Sequence, residues 1–406
     1  MKSKIIILLQ FILYSFCFGQ SFDPFIEGLM NQTNLDSLVS YVRILSGEDS
    51  VVIAGSTVLI TPRGSFFEND LAADYIKSKL ESYGLETYDH HFYKAGLYPV
   101  IGRNIYSIQR GKTYPDKYFF YCAHWDAITE YCADDNASGV AGVLEAARIL
   151  SKYQFEYSII YALWDYEELG TYGSWYFASR CDSNNTDIQG VLNFEMSGWD
   201  SDDDGLMDIH TKDIINSVSL ANIMFIVDSL YQLPLKPIIY NPGTNASDHW
   251  SFWHFNYSAI CFSEAYWGGD FNPYYHSSED RIDKFNLAYF HNVCKLGIAS
   301  LSTLATENFT SSVQEDIAAL HSFYLNNYPN PFNNATIIQY AIPEACNISL
   351  DVYSSIGEKI VNLSKGYEKA GKYEIHFNAS DLPSGVYFYR IQAGNFIDTK
   401  KMLLLK

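Results

Sequence analysis

The chain has 406 residues, of which 48% are hydrophobic and 18% are charged, and its formal net charge at pH 7 is -20. This length is too great for one ordinary domain and suits two or three folded units of globular composition. The negative charge argues against nucleic acid and against an anionic membrane surface as partners, because both attract basic proteins.

The first twenty residues predict a secretory signal peptide. Two lysines precede an apolar run over residues 5–18, and Gly19 follows as a small residue near the expected cleavage point. The apolar run is too short for a comfortable transmembrane helix, and no later segment has the length and hydrophobicity of one. We therefore expect an exported chain with no transmembrane segment. Export permits disulfides, but the spacing of the six cysteines that follow the predicted signal peptide assigns no pair.

Helical and strand patterns alternate from about residue 36 to residue 304. Leu71 to Tyr83 has apolar residues at helical spacing, and Gly84 stands where a helix would end. Residues 139–150 form a second apolar helical segment. Continuous apolar runs typical of buried strands occupy residues 117–122, 157–164 and 190–194. This alternation predicts an α/β fold with an open, twisted mixed sheet and helices on both faces.

The pattern changes after residue 304. Residues 305–326 are more polar and predict a linker. Short alternating or apolar segments separated by Gly-rich turns follow at residues 336–341, 348–353, 373–377, 386–391 and 396–404. Five or more short strands in about 80 residues predict a small all-β, immunoglobulin-like sandwich over residues 327–406.

Histidines and carboxylates occur in five short segments of the α/β region. They read Ala123-His124-Trp125-Asp126, Asp134-Asp135-Asn136, Glu167-Glu168, Asn193-Phe194-Glu195 and Tyr275-His276. Three of these segments lie just past the carboxyl end of a predicted strand, which is where open α/β sheets bind ligands. Histidine and carboxylate ligands suit zinc, and a shared carboxylate can bridge two zinc ions about 3.5–4 Å apart. The ordered set predicts a hydrolytic two-zinc site, although any one segment alone would more often be structural.

The region from about residue 36 to residue 304 resembles the co-catalytic zinc aminopeptidases, metallopeptidase family twenty-eight of the zinc exopeptidase clan. The resemblance implies a phosphorylase/hydrolase-like fold, a secreted zinc peptidase domain over residues 21–304, and peptide substrates. The metal ligands that it implies are His124, Asp135, Glu168, Glu195 and His276, with Asp135 bridging two zinc ions. Glu167 would then be the general base, and Asp126 would orient the His124 ring.

The chain departs from the family pattern at two positions. Glu195 is one methylene longer than the usual aspartate. The family's bacterial aminopeptidases also place a tyrosine donor shortly before the Ser247-Asp248-His249 segment, where this chain has only Thr244 and Asn245 as polar alternatives. Trp267 and Phe271 precede His276 and either line an apolar pocket for the first substrate side chain or are ordinary core aromatics.

The last eighty residues resemble the C-terminal sorting domain of the type IX secretion system. The segments that carry this resemblance are Tyr328-Pro329-Asn330-Pro331-Phe332, Leu382-Pro383-Ser384-Gly385-Val386-Tyr387 and the final Lys400-Lys401-Met402-Leu403-Leu404-Leu405-Lys406. The resemblance implies passage across the outer membrane through the type IX machinery, with release outside the cell or display on its surface. The alternative is a sandwich that binds carbohydrate or a partner protein.

An acidic loop near the predicted site has the spacing of a calcium-binding loop. Carboxylates occupy its positions 1, 3, 5 and 9, with glycine at position 6, and these residues are Asp200, Asp202, Asp204 and Asp208. Position 12 is Thr211, whereas the calcium loop uses a bidentate glutamate there. The segment is therefore a possible calcium loop or a solvated acidic turn.

Two other functions are compatible with parts of the pattern, and a third is disfavoured. A glutaminyl cyclase would use a single zinc in a drier pocket to cyclise N-terminal glutamine. An inactive binding module of the same fold is a second alternative, but Glu167 and every metal position are retained. A carboxypeptidase would need an arginine cluster for the substrate carboxylate, and none stands out in the sequence. The two-zinc aminopeptidase is the leading hypothesis.

Overall fold

The computed structural model describes residues 22–61, 63–64, 70–96, 99–306, 324–342, 345–368, 371–394 and 396–406. The predicted signal peptide and most of the predicted linker lie outside the described residues. Within the described part of the chain, no helix is both long and apolar enough to cross a membrane.

The N-terminal region alternates helices with strands. Its helices are α1 (Pro24–Met30), α2 (Leu35–Leu45), α3 (Asp70–Ser82), α4 (Gly139–Leu150), α5 (Tyr172–Ser183), α6 (Ser217–Tyr231), α7 (His249–His254) and α8 (Leu287–Thr306). Its strands are β1 (Val51–Ile53), β2 (Ser56–Val58), β3 (Glu86–Lys94), β4 (Val100–Gln109), β5 (Tyr114–His124), β6 (Tyr157–Trp164), β7 (Asp187–Phe194), β8 (Leu206–His210), β9 (Lys236–Tyr240) and β10 (Ala259–Glu264).

Eight strands form one mixed sheet in the order β3-β4-β6-β5-β7-β10-β8-β9. The four central strands β6, β5, β7 and β10 run parallel, whereas β3 with β4, β4 with β6, and β10 with β8 pair antiparallel. Every residue of β6 is buried, which explains why this strand is a continuous apolar run instead of an alternating one. The predicted mixed sheet is confirmed.

Helices cover both faces of this sheet, as predicted. Alternate residues of β5 point to opposite faces. Phe119 and Tyr121 join the core formed with α4 and α8, and Phe120 joins a separate core that contains Phe177 of α5 and Phe252 of α7. Because helices cover both faces of the sheet, polar side chains can gather at the ends of its strands.

The two helices that the sequence predicted agree closely with the structure. Helix α4 has the predicted bounds, and α3 begins and ends one residue earlier than predicted. Gly84 has a φ of +79°, a conformation that glycine adopts without the steric penalty of a side chain, so the predicted stop after α3 is correct.

The C-terminal region is entirely β-structure. Its strands are β11 (Tyr324–Tyr328), β12 (Ala335–Ile342), β13 (Cys346–Ser354), β14 (Lys359–Glu368), β15 (Gly371–Asn378), β16 (Gly385–Ala393) and β17 (Phe396–Leu404). They form a three-stranded sheet, β11-β12-β15, and a four-stranded sheet, β14-β13-β16-β17. Ile338 of the first sheet and Leu350 of the second belong to one core, as the predicted sandwich requires.

The sequence pattern missed two of these strands and extended the linker into regular structure at both ends. Strand β14 is an edge strand with mostly exposed or partly exposed residues, so it lacks an apolar run. Strand β11 begins at Tyr324 and α8 continues to Thr306, although the linker was predicted over residues 305–326.

Candidate metal centre

The carboxyl ends of the four central parallel strands lie at one edge of the sheet and gather the predicted site residues. His124 is the last residue of β5, and Glu195 directly follows β7. Glu167 and Glu168 follow β6 after two intervening residues. The other two predicted ligands are on connecting segments, Asp135 in the tight helical segment Ala133–Ser138 and His276 in the loop after β10.

The first group of possible metal ligands consists of His124, Asp135 and Glu195. The Nε2 atom of His124 lies 3.3 Å from Asp135 Oδ1 and 3.2 Å from Glu195 Oε1. His124 is 1% exposed. Burial lowers the pKa of this imidazole, but the surrounding carboxylates, Glu195 foremost, outweigh burial and raise the pKa of His124 well above its ordinary value. The carboxylates around His124 therefore favour a positive charge at this position.

The second group consists of Asp135, Glu168 and His276. The Nε2 atom of His276 lies 3.2 Å from Asp135 Oδ2 and 3.1 Å from Glu168 Oε2. Contacts with these two carboxylates raise the pKa of His276 to about 10. Asp135 thus presents one carboxylate oxygen to each histidine, which is the arrangement of a bridging ligand.

The residues of both groups fit zinc. Ligand atoms at ~2.0 Å from a tetrahedral zinc ion are ~3.3 Å apart, and the four contacts above measure 3.1 to 3.3 Å. Two buried carboxylate oxygens, Asp135 Oδ2 and Glu168 Oε1, accept no hydrogen bond from the described residues. Buried carboxylate oxygens without a donor are unfavourable unless a cation satisfies them.

Asp126 connects the first group to the Glu167-Glu168 segment. Its Oδ1 accepts the backbone N–H of Glu167 at 3.0 Å, and its Oδ2 accepts that of Glu168 at 3.3 Å. The same Oδ1 lies 3.4 Å from His124 Nδ1, on the side of the ring that faces away from Asp135 and Glu195. Asp126 is fully buried, so these contacts fix its position.

Glu167 lines the same cavity as both ligand groups but belongs to neither. Burial raises the pKa of Glu167 well above its ordinary value, and the carboxylates of Asp248 and Glu195 raise it further against the opposing effect of His124. A carboxylate with a raised pKa is better able to hold a proton at neutral pH than an exposed one.

Ser247 is a residue of the site that the sequence did not reveal. Its hydroxyl donates to Glu195 Oε2 at 2.6 Å and accepts from Asn193 Nδ2 at 2.8 Å. Ser247 is 52 residues away from Glu195 in the chain, so no local pattern connects them. The bond fixes one oxygen of the longer glutamate side chain and leaves the other facing His124.

A cavity of about 120 Å³ opens onto both groups. Besides the site carboxylates and His124, its walls include Met196, His210, Thr244, Tyr266, Phe271 and Tyr275. Of the two alternatives that the sequence left open, Phe271 lines the cavity, whereas Trp267 does not and instead packs its ring edge-on against His210 at 5.0 Å. No lysine or arginine of the described chain lines this cavity, which is therefore strongly acidic.

The acidic loop is arranged differently from the calcium loop that its spacing predicted. Asp200 and Asp202 approach Asp270, with possible ligand atoms of all three within 4.8 Å of one another. Asp204 and Asp208 are not in this group. Strand β8 begins at Leu206 and carries Asp208 into the sheet, where Asp208 accepts the backbone N–H of Trp267. Asp200 accepts backbone N–H groups of Asp204 and Gly205, which hold the turn without an ion. Calcium at this loop stays a prediction.

Two families match separate parts of the chain. Residues 104–300 match peptidase family M28, and residues 326–405 match the secretion system C-terminal sorting domain. A probable zinc metalloprotease of Pyrenophora tritici-repentis is 30% identical over 159 residues, which are 34% of this chain and 33% of that protein. A second, from Leptosphaeria maculans, is 32% identical over 123 residues, or 28% of each chain. The chain thus spans about a third of the length of these curated relatives.

Solved structures of two enzyme types share the fold. The aminopeptidase LapA of Legionella pneumophila has a TM-score of 0.58 at 22% identity, covering 76% of this chain and 81% of its own. A zinc aminopeptidase of Bacillus subtilis has a TM-score of 0.57 at 16% identity, covering 70% and 99%. A glutaminyl cyclase of Bacteroides thetaiotaomicron has a TM-score of 0.55 at 18% identity, covering 67% and 98%. At these identities the likeness shows the fold alone.

The two family matches agree with the division of the fold into an α/β region and a β-sandwich. The C-terminal match indicates type IX secretion to the cell surface or to the extracellular space. The zinc metalloprotease relatives support zinc as the metal of the α/β region. This chain therefore carries a peptidase family M28 domain followed by a secretion system C-terminal sorting domain.

Proposed function

We propose that this chain is an exported aminopeptidase with two zinc ions, which hydrolyses the N-terminal residue from peptides. The observation that carries the proposal is the position of Asp135, with one oxygen 3.3 Å from His124 Nε2 and the other 3.2 Å from His276 Nε2. His124 and Glu195 would hold the first zinc, Glu168 and His276 the second, and Asp135 both. Glu195 would replace the usual aspartate with support from Ser247.

Zinc ions at these positions would supply a Lewis acid for the substrate carbonyl and would acidify a water molecule. Glu167 accepts a proton from the attacking water and then delivers it to the leaving amine nitrogen, the double role of a general base and acid. Asp126 holds the backbone of Glu167 by a hydrogen bond of 3.0 Å. Glu168 faces His276 instead. The two neighbouring glutamates therefore have different roles, Glu167 in proton transfer and Glu168 in metal binding.

The cavity suits a substrate with a free amino terminus. Its walls carry several carboxylates and no lysine or arginine among the described residues, which favours a cationic α-amine. Tyr266, Phe271 and Tyr275 form its apolar wall, and successive rings lie 5.0 Å apart. These aromatic rings favour an apolar first side chain.

Glutaminyl cyclisation is the alternative reaction, because a glutaminyl cyclase has the same fold. A cyclase of this kind would need only one zinc, whereas this chain has two complete ligand groups, His124-Asp135-Glu195 and Asp135-Glu168-His276, which favours the two-zinc reaction.

Mass spectrometry of products distinguishes the two reactions. The zinc-loaded chain is incubated with peptides that begin with leucine, phenylalanine or glutamine, and with N-acetylated copies of each as controls. We expect loss of the intact first residue from the free peptides and no reaction of the acetylated ones. Loss of ammonia from the glutaminyl peptide without any cleavage would instead establish cyclisation.

We also propose that the sorting domain engages the type IX secretion machinery and that the peptidase acts outside the cell or at its surface. The match of residues 326–405 supports this partner.

A further inference from the structure

His210 is a buried histidine in the cavity wall that belongs to neither metal group. It is the last residue of β8, it is 1% exposed, and it lines the cavity together with Glu195 and Met196. The neighbouring strand β10 and the segment before α7 enclose it. The ring nitrogen atoms of such a histidine form hydrogen bonds either with the protein or with a molecule bound in the cavity.

The hydrogen bonds of His210 define which of its nitrogen atoms carries the proton. The backbone N–H of Thr244 donates to Nδ1 at 3.4 Å, so Nδ1 is an acceptor. Burial lowers the pKa of His210 to about 4, and the ring is neutral at pH 7. In a neutral ring with an acceptor at Nδ1, the proton lies on Nε2, which is then a donor.

This Nε2–H has no acceptor among the described residues. The Oδ2 atom of Asp208 lies 3.8 Å from His210 Nε2, and this distance is beyond hydrogen-bond range. That oxygen already accepts the backbone N–H of Trp267 at 2.5 Å. A buried donor without an acceptor is unfavourable. An acceptor on a bound molecule would satisfy it.

The ring is held in place before any ligand arrives. Tyr240 stacks on one side at a centroid distance of 5.5 Å, and Trp267 meets it edge-on at 5.0 Å. Gly243 packs so closely that a Cβ atom there would lie 2.5 Å from the Cβ of His210. Fixed donors of this kind stabilise developing charge without reorganisation during the reaction.

A peptide substrate with an apolar first side chain offers His210 only one suitable type of group near the bond to be cleaved, a backbone carbonyl oxygen. The α-amine is a cation and cannot accept a hydrogen bond, whereas carbonyl oxygens can. The carbonyl of the bond to be cleaved gains negative charge during attack, so a donor contributes most to the rate at that oxygen. Building on the proposed function, we infer that His210 is a catalytic residue whose Nε2–H donates to the scissile carbonyl oxygen.

This assignment changes the roles of the two residues that the sequence offered as donors. Thr244 uses its backbone N–H to orient His210, and its hydroxyl accepts the backbone N–H of Ala246. Asn245 is exposed and is not part of the cavity wall. Thr244 therefore acts through His210, as a positioning residue.

Variants of His210 in the full zinc-loaded chain test this inference. His210→Ala removes the donor, and we expect kcat for a leucyl anilide to fall roughly 10²-fold, with KM within about threefold of wild type and zinc content unchanged. His210→Gln keeps an N–H near the position of Nε2 and should recover at least about tenfold of the lost rate.

A tetrahedral phosphonate analogue of the substrate provides a readout that needs no turnover. Calorimetry should show weaker binding of the analogue to His210→Ala than to wild type, with unchanged affinity for 3-methylbutylamine, which has the amine and side chain of leucine but no carbonyl oxygen. The inference is wrong if kcat of His210→Ala stays within threefold of wild type. It is also wrong if the Gln and Ala variants are equally impaired, or if analogue affinity is unchanged. A wild-type chain that binds zinc and the analogue but cleaves no peptide would overturn the proposed function alone.

Discussion

Asp126 accepts the backbone N–H of Glu167 through Oδ1 at 3.0 Å, and the same oxygen lies 3.4 Å from His124 Nδ1. The backbone oxygen of Asp126 is also 3.2 Å from His124 Nδ1. Asp126 therefore positions both the histidine proposed for the first zinc and the glutamate proposed as general base. Because the contact to Glu167 is made through its backbone, the Glu167 side chain can be changed without disturbing Asp126.

Glu167→Gln should abolish turnover and leave both zinc ions bound. The change removes the proton acceptor, keeps the shape of the side chain, and alters no proposed ligand, so we expect kcat to fall roughly 10²–10⁴-fold. Steady-state kinetics and elemental analysis of the same preparation check this. Activity within tenfold of wild type would exclude Glu167 as the general base, and a loss of zinc would make it a ligand.

Ser247→Ala should weaken one of the two zinc sites. The hydroxyl of Ser247 fixes Glu195 Oε2, and removing such a partner weakens metal binding roughly 10–100-fold. A chelator titration should lose one zinc earlier than in wild type, while the zinc held by Glu168 and His276 dissociates as before. The matched control is Ser263→Ala, another serine of the cavity wall, whose hydroxyl donates to the backbone oxygen of Glu264. Equal weakening of both sites would contradict the role of Ser247.

The metal-free protein should become less stable as pH rises from 6 to 9. Burial raises the pKa of Asp280 to about 8 from 3.8, and contacts with Asp135 and Glu168 raise that of His276 to about 10 from 6.5. Both groups bind a proton more tightly in the folded state than in the unfolded chain. The stability from His276 is complete below pH 6.5 and disappears as pH approaches 10, and that from Asp280 is lost by about pH 8.

Melting curves of the chelated and zinc-loaded protein across this pH range check the prediction. Zinc takes the place of protons in the site, so the loaded protein should show a weaker pH trend. A melting temperature of the metal-free protein that rises between pH 6 and pH 9 would contradict the proposed origin of these pKa shifts.

A chain ending at Thr306 should keep peptidase activity and lose delivery outside the native cell. All proposed ligands precede this residue, and the sandwich has a core of its own around Ile338 and Leu350. Activity of the purified protein and its fraction in the medium are the two measurements, with the full chain as control. A folded but inactive truncation would place part of the site in the sandwich, and an exported one would exclude the type IX route.

Much of the fold follows from local sequence. Strand β6 is predicted from its continuous apolar run, which reflects burial on both faces of the sheet. Because His124 ends β5 and Glu195 follows β7, the parallel strands then bring these two residues to the same side of the sheet. Local sequence does not show contacts between distant segments. Ser247 and His210 reach the site through such contacts. Asp208 is not part of the acidic loop, because the chain has already entered strand β8 at this residue. The polar edge strand β14 was missed for lack of an apolar pattern.

Anomalous diffraction at the zinc absorption edge from crystals of the zinc-loaded chain tests the two-zinc site most directly. We predict two anomalous peaks, the first among His124, Asp135 and Glu195, and the second among Asp135, Glu168 and His276. The Asp135 carboxylate should contact both. A single peak from fully loaded protein, or two peaks that do not share Asp135, would contradict the proposed site.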